Sequence, residues 1–218
     1  LEASGEPWLN PGIFAYGTLY EISKYYPSIS AIITNNTDAL FIITFFAILM
    51  LFAILFFKEP KTGLISASSF FFAFIEILSI FLINNRYGSI YTDIQHIIIS
   101  AMFGLALGAA IKKEATPSIF VFFLPLLLSI LLFSSRCLLY IITFAAGFLN
   151  GRLFFIFSKA ADKNKYRVYV YDMLGGAIGI LIAPFFIIGL GGVKAGVVMA
   201  IILNMMILFY IRFVSKII

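Results

Sequence analysis

The sequence predicts an all-α protein, a polytopic transmembrane helix bundle of about seven spans, from three observations. Hydrophobic residues make up 62% of the chain and charged residues 11%, and its mean hydropathy of +1.08 exceeds that of soluble globular domains. The apolar residues form runs long enough to cross a hydrocarbon core of about 30 Å. Glycines spaced four residues apart inside these runs favour small-residue packing of one helix against another.

Residues 1–37 differ from the rest of the chain because prolines and polar turn formers interrupt them. Pro7, Pro11 and Pro27 fall in this segment, and no charged stretch precedes a short apolar one, so it is not a signal peptide. We interpret residues 1–37 as an extramembrane segment, the tail of an upstream domain. Residues 38–218 are the predicted transmembrane helical domain.

Seven apolar runs in this domain are candidate membrane spans. They cover residues 39–57, 64–83, 89–111, 119–133, 138–157, 169–190 and 195–213. The fourth run is the shortest and contains Pro125, so it suits a re-entrant segment almost as well as a full crossing.

The basic residues give this topology an orientation. With seven spans, eleven of the fifteen lysines and arginines fall on one side of the membrane, and cytoplasmic loops collect basic residues. We therefore predict a bacterial inner (cytoplasmic) membrane protein with residues 1–37 outside and the carboxyl end in the cytoplasm. Because the same bias explains the net charge of +5, the predicted partner is the lipid bilayer and not nucleic acid.

Motifs of soluble enzymes are absent from the sequence. It contains no Gly-x-Ser-x-Gly, Walker, His-Glu-x-x-His or Cys-x-x-Cys pattern, and the glycines near residue 190 precede no acidic ribose-binding position. With one cysteine and one histidine, we predict neither a metal site nor a cofactor. Catalysis by this chain alone is not predicted.

Acidic residues inside the apolar runs are the first candidates for function, because a carboxylate at mid-bilayer depth costs about 2.5 to 3.5 kcal/mol. Glu76 has no basic residue within two helical turns of its own run, so it needs a partner on another helix, a proton, an ion or a substrate. Asp93 either pairs with Arg86 or lies near the mouth of a site. Asp172 either complements a helix dipole or faces a ligand.

Small and basic residues inside the runs indicate how the helices pack. The predicted helix-packing glycines are Gly104, Gly108, Gly147, Gly151, Gly175 and Gly179, since small-xxx-small faces let helices approach closely. Pro184 would kink the sixth run, and kinked helices often line transporter cavities. Arg152 either snorkels to the surface or reaches an acidic residue of a neighbouring helix.

Five stretches, taken together, carry a family resemblance. They are Phe74-Ile75-Glu76-Ile77, then Asn84, Gly88 and Tyr91, then residues 102–109, 147–151, and 171–179 with Pro184 and Gly189. In order and spacing they resemble the membrane portion of multi-span proteins related to spermidine synthase, in which a helical bundle is fused to an aminopropyltransferase-like soluble domain. The glycine-rich loop and paired aspartates of that soluble domain are absent from this sequence, so the resemblance implies no aminopropyl transfer here.

The resemblance implies an integral membrane module that binds or transports a small cation such as a polyamine, or that anchors a soluble aminopropyltransferase-like domain. The hypothetical substrate-binding residues are Glu76, Asn84, Tyr91, Asp93, Asn150 and Asp172. The alternative is a structural membrane-anchor subunit that binds other protein subunits of a larger redox or extracytoplasmic complex. Its support is the glycine faces and the lack of a second strong acidic residue beside Glu76.

Overall fold

All the regular structure that can be described in this chain is helical. The computed structural model describes residues 42, 43, 47 and 50 and the ranges 60–87, 91–111, 135–160, 165–184 and 189–214. Over these ranges the chain forms α1 (Pro60–Tyr87), α2 (Tyr91–Ala110), α3 (Arg136–Ala160), α4 (Lys165–Ile182) and α5 (Gly189–Val214), and no strand. The all-α prediction is confirmed for this part of the chain.

Three of the described helices are long and apolar enough to cross a membrane. The spanning segments are Thr62–Asn84, Tyr91–Ala110 and Arg136–Lys159, and Gly196–Phe209 is a shorter apolar helix. These helices indicate a membrane protein, and they coincide with the second, third and fifth predicted runs. The described residues do not include residues 1–37, the run at 119–133 or, apart from isolated positions, the run at 39–57. A total of seven spans therefore stays a prediction.

Local sequence explains where several helices begin and end. Pro60 opens α1, where its missing N–H is not needed. The Ser135 hydroxyl accepts a hydrogen bond from the Leu138 N–H at 3.3 Å, as expected of a residue that caps the start of α3. Lys159 lies in the last turn of α3, where a cation complements the helix dipole.

The sixth predicted run differs from the structure at its carboxyl end. Residues 169–190 were expected to form one span kinked at Pro184, whereas α4 ends at Ile182 and the next helix begins at Gly189. Ala183 and Pro184 form a wider, π-type turn, because proline cannot donate the backbone hydrogen bond that would continue the helix. Helix α5, which begins at Gly189, also begins earlier than the predicted run at 195–213.

Helix α1 is the centre of the described bundle. It packs against each of the other four described helices, and 78% of its most apolar window is buried, against 28% for α2. The largest fully buried side chains of α1 include Phe70, Phe71 and Phe74, and they pack with residues of α3 and α5 in one core. Such an all-round apolar helix is typical of the interior of a membrane bundle.

Pairwise contacts give the relative direction of four helices. Helices α1 and α3 are antiparallel, because Ser69 meets Asn150 while Ser79, farther along α1, meets Thr143. Helices α2 and α3 are parallel: their amino ends meet through Asp93 and Tyr140, and the carboxyl end of α2 meets Arg152. Ile111 and Ser135 therefore lie at opposite ends of the α2–α3 pair.

A second parallel pair is formed by α1 and α4. Gly175 lies against Ser66 and Gly179 lies against Phe70 and Ala73, so both helices advance in the same direction. This pairing places the first half of α4 beside Ser69.

Glycines bring these helix backbones into direct contact. An added Cβ at Gly104 would overlap the carbonyl oxygen of Phe144, and one at Gly147 would overlap that of Ala101. Gly108 and Gly151 continue the same contact between α2 and α3, and Gly175 makes an equivalent contact with α1. All these glycines are buried, and their missing side chains set how closely the helices approach.

Candidate functional site

A polar cluster lies where α1, α3 and α4 meet. The Ser69 hydroxyl hydrogen-bonds to Asp172 Oδ1 and lies 3.1 Å from Asn150 Oδ1. Ser69 and Asn150 are buried, and Asp172 is half-buried. The antiparallel contact of α1 with α3 and the parallel contact of α1 with α4 converge at this point, so three residues far apart in sequence form one site.

The cluster has fewer protons than acceptor positions. The Ser69 hydroxyl has one proton and the Asn150 amide has two, whereas Asp172 has two acceptor oxygens and Ser69 and Asn150 have one each. Ser69 Oγ faces one oxygen of Asp172 and one of Asn150 and can donate to only one of them at a time, and the Asn150 amide also hydrogen-bonds to Asp172. The Asp172 carboxylate keeps acceptor positions that a further N–H or O–H donor can fill.

Glu76 lies farther along the same side of α1. It is seven residues beyond Ser69, which is about two turns and about 10 Å of rise with nearly the same angular position. Glu76 is half-buried. Within the described part of the chain it makes no hydrogen bond or ion pair.

A second polar cluster occupies the other end of α1, near the amino ends of α2 and α3. Buried Asp93 accepts a hydrogen bond from the Tyr140 hydroxyl at 2.6 Å, and its Oδ2 is 3.5 Å from Arg136 Nε. The Arg136 guanidinium also lies 4.5 Å from the centre of the Tyr87 ring. The described ion-pair partner of Asp93 is thus Arg136, a residue of another helix. The side chain of Arg86, the partner considered from the sequence, lies outside the described residues.

The predicted site residues therefore divide into two groups. Asn150 and Asp172 lie together through Ser69, and Glu76 is two turns away. Asn84 lies in the last turn of α1, and Tyr91 is the first residue of α2, two positions before Asp93. Both are exposed, Tyr91 by 81%. These three are not brought to the Ser69 cluster.

Arg152 does not extend to the surface as snorkelling would require. Its side chain is 4% exposed, and its Nη1 donates to the carbonyl oxygen of Ile111. Among the described contacts it reaches neither Asp172 nor Glu76, because it lies on the side of α3 that packs against α2.

Several polar residues of the bundle were not singled out from the sequence. They are Ser69, Ser79 and Thr143, which join α1 to α3, Tyr140, and Asn204 of α5, which is fully buried with both amide atoms unbonded among the described residues. The available signal was the run of serines at 66, 68 and 69 inside an otherwise apolar span. Ser66, Ser69, Glu76 and Ser79 follow one side of a helix with 3.6 residues per turn.

The acidic groups do not form a metal centre within the described residues. No group of three or more histidine, cysteine, aspartate or glutamate side chains gathers there. His96 instead lies beside the Tyr140 ring, with 5.7 Å between ring centres.

Comparison of the chain with protein-family models, with curated proteins and with solved structures finds no match.

Proposed function

We propose that this chain is an integral membrane module that binds a small organic cation, such as a polyamine, and moves it through the membrane. The proposed topology has seven spans, with the amino-terminal segment outside and the carboxyl end in the cytoplasm of a bacterial inner membrane. The resemblance to the membrane portion of spermidine synthase-like proteins is part of the same proposal.

The Ser69–Asn150–Asp172 cluster carries this proposal. It combines a carboxylate with neutral oxygens, and its three protons cannot satisfy every lone pair of its four acceptor oxygens. A primary ammonium group has three N–H donors and no acceptor, so it complements such a cluster. No described lysine or arginine pairs with Asp172, whereas the acidic group at the other end of the bundle, Asp93, is paired with Arg136.

Glu76 would supply the second charge of the proposed site. A carboxylate without a countercharge inside a membrane protein is a candidate for ion or substrate handling. Because Glu76 lies about 10 Å along α1 from Ser69, the two acidic positions suit a linear ligand with two separated ammonium groups. We therefore centre the site on Asp172 and Glu76.

Binding of labelled spermidine to the purified chain in lipid nanodiscs tests the proposal. Asp172→Asn and Glu76→Gln keep the shape of each side chain and remove its charge. Each should weaken binding roughly tenfold or more, since a hydrogen bond to a charged group contributes about 1.5–3 kcal/mol. Uptake into proteoliposomes should exceed leakage for the wild type and fall in both variants.

Asp93→Asn is the matched control, because it removes one carboxylate from the opposite end of the same bundle. We expect its affinity for spermidine to stay within about twofold of the wild-type value. Unsaturable binding to the wild type, or equal affinities of Asp172→Asn and wild type, would refute the proposed site.

A structural anchor is the second candidate function, and the glycine contacts favour it. The direct backbone contact of α2 with α3 through four glycines makes this pair a single rigid unit. An anchor should purify with stoichiometric protein partners in mild detergent and should bind no spermidine. A transporter should be active as the reconstituted chain alone.

A further inference from the structure

A second charged group lies buried in the bundle, outside the proposed cation site. Arg152 of α3 is 4% exposed. An arginine guanidinium stays protonated in proteins, and an unpaired buried charge has a high cost. Among the described residues no carboxylate lies within ion-pair distance of Arg152.

The two Arg152 nitrogens without a described hydrogen-bond partner, Nε and Nη2, share one edge of the guanidinium. Its Nη1 donates to the Ile111 carbonyl, while buried Nε and Nη2 have no hydrogen-bond partner among the described residues. The N–H groups of Nε and Nη2 point the same way along one edge of the guanidinium plane. That edge is the fork that binds two oxygens of a carboxylate or a phosphate at once.

The neighbours of the Arg152 guanidinium are not fully buried. Ile111 is 40% exposed, and the Phe155 ring, 5.7 Å from the guanidinium carbon, is partly exposed. The guanidinium therefore contacts two residues that reach the surface of the described bundle.

The position along the bundle corresponds to the end of a membrane span. The apolar span of α2 ends at Ala110, and α2 runs parallel to α3, so Arg152 is level with that end. In the sequence Lys112 and Lys113 follow directly. Basic side chains beside a membrane surface attract anionic lipids. The span of α3 itself continues about two turns beyond Arg152, to Lys159.

We infer that the free Nε–Nη2 edge of Arg152 binds the phosphate group of an anionic lipid at the end of α2. The site differs from the proposed cation site in its charge, in the helix pair that forms it and in its ligand. Its role is to hold a specific lipid against the α2–α3 pair.

Native mass spectrometry of the delipidated full chain, titrated with phosphatidylglycerol or phosphatidylcholine, tests the inference. The wild type should bind phosphatidylglycerol roughly tenfold or more tightly than phosphatidylcholine, whose choline offsets the phosphate charge. Arg152→Gln should abolish this preference. Arg152→Lys keeps the charge without the fork and should retain only part of it. Lys159→Gln, which removes an exposed charge from the same helix, should leave the preference unchanged.

Three outcomes would overturn the inference. A wild type without any preference for phosphatidylglycerol would do so even if Arg152→Gln failed to fold. Displacement of the lipid by an equal concentration of inorganic phosphate would assign the fork to a free anion. A preference that emerges only in Glu114→Gln would show that a carboxylate of the chain fills the fork.

Discussion

At the residue scale, Asp93 shows how this protein accommodates a carboxylate in an apolar bundle. Its side chain is buried, but Tyr140 donates to one oxygen and the Arg136 guanidinium adjoins the other. Arg136 is itself partly exposed and lies over the Tyr87 ring. The charge is therefore balanced from the neighbouring helix, at the end of the bundle where water can reach the arginine.

The Tyr140 hydroxyl should be needed for stability because it makes the one hydrogen bond described for Asp93. Tyr140→Phe removes that donor and leaves a buried carboxylate oxygen unsatisfied. We expect a loss of about 1–3 kcal/mol in the free energy of unfolding, measured by circular dichroism in detergent. Tyr91→Phe, the same change at a side chain that is 81% exposed, should have almost no effect. Equal stability of the two variants would contradict this account of Asp93.

Charged residues could be recognised as candidates from the sequence, but their partners could not. Glu76 and Asp172 stand out because any carboxylate in a hydrocarbon run needs an explanation. Ser69 and Tyr140 do not, because serine and tyrosine are common in apolar helices. Their importance depends on which residue of a neighbouring helix they face, and that follows from helix rotation and direction.

At the scale of the helices, glycine determines how closely α2 and α3 approach. Gly104→Ala would place a methyl group on the backbone oxygen of Phe144, and a backbone atom cannot turn aside as a side chain can. Overpacking of this kind costs about 1–3 kcal/mol or more. We expect a clear fall in the thermal unfolding midpoint in detergent.

Gly176→Ala is the matched control for this substitution. An added Cβ at Gly176 would have nothing within 4 Å. At the neighbouring Gly175, by contrast, an added Cβ would overlap the backbone of α1. Alanine is favoured over glycine inside a helix by about 0.5–1 kcal/mol, so Gly176→Ala should be neutral or slightly stabilising. If both variants unfolded at the same temperature, glycine contact would not explain the packing of α2 and α3.

Helix positions followed from the sequence more reliably than helix ends and orientations. Three runs of apolar residues coincide with the three helices long enough to span a membrane, because length and hydropathy suffice to identify such segments. The break between α4 and α5 was placed too late because the effect of Pro184 depends on local backbone geometry. Rotation was unreadable because most faces of these helices are apolar.

At the scale of the whole molecule, the parallel pair α2–α3 constrains the topology. Asp93 and Tyr140 join the amino ends of the two helices, and Ile111 and Arg152 join their far ends. Two consecutive described helices that run in the same direction require that the chain between them connects opposite ends of the bundle. Ile111 and Ser135, the described residues on either side of that stretch, lie at opposite ends of the α2–α3 pair.

Cysteine accessibility should detect this arrangement. Cys137, the single cysteine, is exposed beside Arg136 near the start of α3, and Ile111 is 40% exposed at the end of α2. In intact spheroplasts, a membrane-impermeant maleimide should label Cys137 from outside. It should label Cys137→Ser/Ile111→Cys only after the membrane is opened, because the two positions lie on opposite sides. Labelling of both positions from one side would contradict the parallel arrangement, and the reversed pattern would keep it while inverting the proposed orientation.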